Sequence, residues 1–184
     1  IHGINDYNNI LDFSKDTWRF ENYSVNPIPV LDDDLEAFKY GMDNASKETL
    51  DRIIASGANG QCAGMAITTV LAKVGRLNLH QIQSGAPNLH AINQNEKAES
   101  VIGYYYLSQF LSPYQNNKIE FQRLSVQDRL ARIAELADEV DSGGTPFVIM
   151  FGYQNPFDAD DSWGHAVTAY SLEHGSFDIG SRNY

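Results

Sequence analysis

Apolar residues recur at helical spacing through the middle of the chain, and the pattern changes to short apolar runs of strand length near its end. Spacings of three and four positions predict four helices, at about 46–56, 62–73, 97–112 and 126–140. Ser46 or Asn44 is expected to cap the first of these, and Ser125 the last. Gly57 is expected to end the first helix, and Pro113 to end the third.

Three later segments predict strands, at 146–151, at 165–172 and from 177 onward. Helices that come first and strands that come last are typical of an α+β fold. The length of 184 residues suits a single domain, 1–184. We expect it to comprise an irregular N-terminal arm (1–44), a mainly helical part (45–142) and a β part (143–184).

The arm has frequent Asn, Asp and Pro, and it predicts no regular structure beyond a short helix near 34–40. Its aromatic side chains are expected to anchor it to the core; these are Trp18, Phe20 and Tyr23.

Composition excludes several classes of partner. The net charge of −11, with no basic stripe, argues against a nucleic-acid partner. No apolar stretch approaches the ~18 residues of a membrane span. One cysteine excludes an internal disulfide framework. The chain begins at Ile1 without a recognisable signal peptide, which suggests a processed or trimmed domain.

The main chemical signal is a cysteine paired with a distant histidine. Cys62 opens the second predicted helix in the run Gly-Gln-Cys-Ala-Gly-Met-Ala, and Gly60 and Gly64 leave room for close approach of a backbone or substrate. His165 opens a predicted strand in the run Gly-His-Ala-Val-Thr-Ala-Tyr. A helix N-terminus favours a thiolate, and an imidazole can accept the thiol proton. A lone cysteine is more often a small buried apolar residue, so the histidine is what favours catalysis.

Other polar clusters are weaker. The acidic loop at Asp158–Asp161 has alternating carboxylates but lacks the glycine and distal glutamate of a calcium loop, so a solvated acidic loop is the better interpretation. His80 and His90 lack the partners of a zinc site. No phosphate-binding or dinucleotide glycine motif occurs, and no metal or cofactor is expected.

The two motifs together resemble those of the papain-like cysteine peptidases, with similarity to bacterial secreted members and the bacteriocin-processing branch. At the level of architecture the resemblance covers roughly 45–180, and at motif level about fifteen residues. It implies a papain-like fold, thiol-dependent hydrolysis of a peptide or protein substrate, and secretion or cell-surface location in a bacterium. It assigns Cys62 as the nucleophile and His165 as the general base.

Two further roles of that family have no direct match. The family's oxyanion glutamine would fall at Ser56, so Gln61 and Asn59 are the local candidates beside the Cys62 N–H. The residue that orients the histidine is expected at Asn183, with Asp178 as a weaker option. The family's sheet continues further than this chain, so we expect a C-terminally incomplete sheet and additional segments or domains.

Two other functions are compatible with the same sequence. A transglutaminase-like or arylamine acyltransferase enzyme would use the same Cys–His pair but transfer the acyl group to an acceptor other than water. The shape of the cleft, rather than the pair itself, selects that acceptor. A non-catalytic binding or adhesion module on a peptidase scaffold is the alternative outside enzymes.

Overall fold

Helices precede strands along the chain, which confirms the α+β prediction. The computed structural model describes residues 11–153 and 163–170. Its elements in chain order are the α-helices α1 (Asp32–Lys39), α2 (Asn44–Ser56), α3 (Cys62–Lys73), α4 (Leu79–Ile82), α5 (Glu96–Leu107), α6 (Ser112–Arg123) and α7 (Val126–Asp141), and the strands β1 (Phe147–Tyr153) and β2 (Trp163–Ala169). Short 3₁₀ helices lie at Leu89–Ala91 and Ser108–Phe110. None of the described helices is long and apolar enough to cross a membrane.

Several predicted boundaries are confirmed. The helix predicted at 62–73 matches α3, and Gly75 follows it with a positive φ of 69°. Gly57 ends α2 with a φ of 74°, which suits glycine because it lacks a Cβ. Ser125 caps α7 by accepting the Asp128 N–H. The strand predicted from 177 lies outside the described residues.

Two local predictions were wrong. Asp43, rather than Ser46 or Asn44, is the N-cap of α2, and its carboxylate accepts the Ser46 N–H at 2.9 Å. The helix predicted at 97–112 ends at Leu107, and Pro113 lies in the first turn of a separate helix, α6. Proline is well tolerated there because first-turn N–H groups have no partner within the helix.

Helix α3 lies at the centre of the molecule, between α5 on one side and the sheet on the other. A side chain at Gly64 would collide with the backbone carbonyl of Ile102, so the glycine allows α3 and α5 to cross at close range. The predicted close approach at Gly64 is therefore confirmed, and the approaching group is the protein's own backbone.

The two described strands pair antiparallel, with Phe151 opposite His165 and Met150 opposite Ala166. Ala166 is buried in a small cluster with Ala63 and Ala66 of α3. The Thr168 hydroxyl donates to the Ala66 carbonyl at 3.2 Å, which joins β2 to α3. The same helix that begins at Cys62 thus supports the strand that carries His165.

The N-terminal arm packs on the core as predicted. Trp18 is buried, and Phe20 and Tyr23 pack against the same cluster as Ile92 and Ile102. The Trp18 indole N–H donates to the Thr68 hydroxyl of α3 at 2.9 Å. The arm therefore forms a wall beside α3.

Candidate active site

Cys62 is the first residue of α3, and Gln61 is its N-cap residue. Gln61 makes no side-chain cap, and the first intrahelical bond runs from the Met65 N–H to the Gln61 carbonyl at 2.9 Å. The helix end beside the sulfur is therefore not closed by its own N-cap side chain, and the partial positive charge of a helix N-terminus favours an anion there. The Cys62 side chain is half-buried and is in no disulfide.

His165 lies on β2, two residues after that strand begins. Neighbouring residues of a strand point to opposite faces, and Ala166 faces α3, so His165 lies on the other face. Its ring meets the Phe151 ring edge-on, with centroids 5.9 Å apart. His165 is exposed.

Cys62 and His165 line one cleft of about 320 Å³. Its walls are α3, β2 and the N-terminal arm, and they are largely apolar. The other lining residues are Leu11, Phe13, Thr17, Trp18, Asn22, Met65, Ala66, Thr69, Ala166, Val167 and Thr168.

The structure thus brings together two residues that are 103 positions apart in the sequence. No hydrogen bond joins the Cys62 thiol to the His165 ring. The cleft lining takes in consecutive residues of β2, from His165 to Thr168, so His165 borders the cleft from the strand face opposite to α3.

The two local candidates for the oxyanion donor, Gln61 and Asn59, do not line the cleft that holds Cys62 and His165. Gln61 is completely buried and does not line the cleft. Neither Nε2 nor Oε1 of its side chain has a hydrogen-bond partner among the described residues. Asn59 is exposed and also lies outside the cleft lining, and its backbone carbonyl accepts the Ser24 hydroxyl at 2.9 Å. Asn183 and Asp178 lie outside the described residues.

Asn22 is a cleft residue that sequence reasoning missed. It lies 40 positions before Cys62, and its Oδ1 accepts the Gln61 N–H at 2.6 Å. No local motif marks it, because an asparagine in an irregular arm is unremarkable in sequence. Only the docking of the arm on the loop before α3 places it at the cleft.

Tyr106 of α5 and Cys62 both pack against the small cluster of Ala63, Ala66 and Ala166. Burial raises the pKa of the Tyr106 phenol, and the neighbouring Cys62 adds to the effect. The raised pKa keeps the Tyr106 phenol neutral. Tyr104, on the same helix, packs edge-on against Phe38.

The described residues contain no group of three or more His, Cys, Asp or Glu side chains placed to hold a metal ion. The acidic loop at Asp158–Asp161 lies outside them. The His90 Nδ1 lies 3.2 Å from the Thr17 carbonyl, so this histidine helps to join the arm to the core.

No protein-family model, curated protein or solved structure matches this chain.

Proposed function

We propose that this domain is a cysteine peptidase of papain-like type, with Cys62 as nucleophile and His165 as general base. The observation that carries the proposal is the shared cleft. A thiol at the uncapped start of α3 and an imidazole on the strand packed against that helix line the same concave site. Acyl transfer by a thiol needs a base within hydrogen-bond reach of the nucleophile, and a shared site is the first condition for that reach.

The reaction follows from these two groups. His165 accepts the thiol proton, and the Cys62 sulfur attacks the carbonyl carbon of a peptide bond. The imidazolium then donates its proton to the leaving amine as the C–N bond breaks, which leaves a thioester on Cys62. Water, deprotonated by the imidazole, hydrolyses the thioester and regenerates the thiol.

The cleft walls suit a peptide or protein substrate. Leu11, Phe13 and Met65 present apolar surface beside Cys62, and such surface binds substrate side chains without a charge requirement. Export by a bacterium is part of this proposal and follows only from the resemblance of the two motifs.

The test is covalent labelling of the single cysteine by the epoxide inhibitor E-64, read by intact-mass spectrometry. Wild-type protein should form one adduct, and His165→Ala should abolish it. His80→Ala is the matched control, because His80 is exposed and lies outside the cleft. Iodoacetamide alkylation against pH should show reaction well below ~8.5, where an ordinary thiol titrates.

An adduct that forms equally in His165→Ala would refute the catalytic pair. No adduct on folded wild-type protein would favour a non-catalytic binding module. Transfer of an acyl group to an added amine, in preference to water, would favour the acyltransferase alternative.

A further inference from the structure

The arm runs antiparallel to the loop that leads into α3, and their register is constant. Val25 and Ala58 form a two-bond bridge, with N–O distances of 2.9 and 2.8 Å. Ser24 bonds to Asn59, and Asn22 bonds to Gln61. This pairing holds Asn22 opposite the residue that directly precedes the nucleophile.

The pairing also orients the Asn22 carboxamide. A backbone N–H must donate to an oxygen, so the atom that bonds to Gln61 at 2.6 Å is Oδ1 and the other is Nδ2. The Nδ2 group lies over Gly60, only 2.6 Å from where a Cβ at that residue would be. Because Gly60 has no side chain, it leaves room for the Asn22 amide group. The group that approaches this glycine closely is therefore a side chain of the N-terminal arm.

Among the carboxamide side chains of Asn22, Asn59 and Gln61, that of Asn22 is the one that lines the cleft. Gln61 is fully buried, and Asn59 is exposed outside the cleft. Asn22 is exposed and lines the cleft together with Cys62. Its Oδ1 is engaged by the backbone, whereas the Nδ2 group offers two N–H donors.

We propose that Asn22 is a catalytic residue whose Nδ2 group, with the Cys62 backbone N–H, forms the oxyanion hole. This inference rests on the proposed function. When the Cys62 sulfur bonds to the carbonyl carbon, an electron pair moves to the carbonyl oxygen, and Asn22 donates a hydrogen bond to that anion. The pair returns to form the thioester carbonyl as the amine leaves with the proton from His165.

The experiment compares two reactions of Cys62, of which only one forms an oxyanion. Acylation by p-nitrophenyl acetate passes through a tetrahedral oxyanion, and it is read as a burst of p-nitrophenolate and an acetyl mass on the protein. Alkylation by iodoacetamide forms no oxyanion. Both rates depend on the thiolate, so the ratio of acylation to alkylation isolates the oxyanion donor.

We expect Asn22→Ala to lower this ratio ~10²–10³-fold, the usual loss for one oxyanion donor. Asn22→Asp should lower it by a similar factor, although a carboxylate still accepts the Gln61 N–H. That variant separates donation to the substrate from support of the loop. Asn117→Ala, an exposed asparagine on α6, is the matched control and should leave the ratio unchanged.

Each contrary outcome has a distinct meaning. A wild-type ratio in Asn22→Asp would show that Asn22 only positions the loop, and a loss confined to Asn59→Ala would transfer the role to Asn59. Equal losses of acylation and alkylation would also overturn the assignment, because the ratio would not change. If wild-type protein is alkylated but never acylated, the proposed function fails and the role of Asn22 fails with it. A wild-type burst that both Asn22 variants retain overturns the Asn22 role alone.

Discussion

Thr68 of α3 provides a stringent test of how the arm is held beside the helix that begins at Cys62. Its hydroxyl accepts the Trp18 indole N–H at 2.9 Å and donates to the Gly64 carbonyl at 2.7 Å. Thr68 is completely buried, and Trp18 is 7% exposed. Thr68→Val would replace the hydroxyl with a methyl group of similar size, so the change is chemical with little change in volume.

The expected magnitude follows from the donor that loses its partner. A buried N–H without an acceptor costs about 1–3 kcal/mol. The Gly64 carbonyl keeps its backbone bond within α3 and adds little to the cost. We therefore expect Thr68→Val to lower the free energy of unfolding by about 2 kcal/mol.

Urea denaturation followed by far-UV circular dichroism measures this loss without relying on tryptophan fluorescence. Thr68→Ser is the matched control, because it keeps the hydroxyl and loses one methyl group, at a cost of about 0.8 kcal/mol. In a Trp18→Phe background the donor is absent, so Thr68→Val should cost almost nothing there.

Two results would refute the reasoning. A Thr68→Val protein as stable as wild type would mean that the indole N–H has another acceptor or reaches water. An equal cost in the presence and absence of the Trp18 indole would mean that the two side chains are not coupled.

Three further predictions concern the same region. Gly64→Ala should destabilise the fold by at least ~2 kcal/mol, since the new Cβ would collide with the Ile102 backbone and force α3 away from α5. A variant as stable to urea as wild type would contradict the close crossing of the two helices. Burial, with a smaller contribution from the charge of Glu99, raises the pKa of the Tyr23 phenol above its ordinary value of about 10. The stability from this neutral phenol is present below about pH 10 and is lost as pH rises further, so Tyr23→Phe should flatten the alkaline decline measured by urea denaturation at pH 7 and 11. An unchanged decline would show that Tyr23 is not its source. Gln61→Met should raise the free energy of unfolding by about 1–2 kcal/mol, because it removes two buried polar atoms without partners among the described residues. A loss of stability in the same assay would show that the Gln61 amide forms hydrogen bonds in solution.

Much of the local structure could be predicted because its signals lie within a few residues of one another. The bounds of α3 follow from apolar spacing and flanking glycines, and the start of α7 follows from Ser125. The predicted end of the third helix was wrong because proline is common both after a helix and in the first turn of one. Pro113 ends a helix in one context and begins one in another, and the local pattern did not distinguish them.

For the candidate site too, some features follow from the sequence and others only from the tertiary structure. The sequence by itself determined which residues are candidates for catalysis, since Cys62 and His165 are marked by their types and by the motifs in which they occur. Tertiary structure alone decided that the two share a cleft, that Gln61 is buried out of it, and that Asn22 lines it. Helix starts and strand runs depend on backbone preferences within a few residues. The Asn22 contact joins positions 39 residues apart, and it exists only because the buried Trp18 and the Val25–Ala58 bridge dock the arm on the loop before α3.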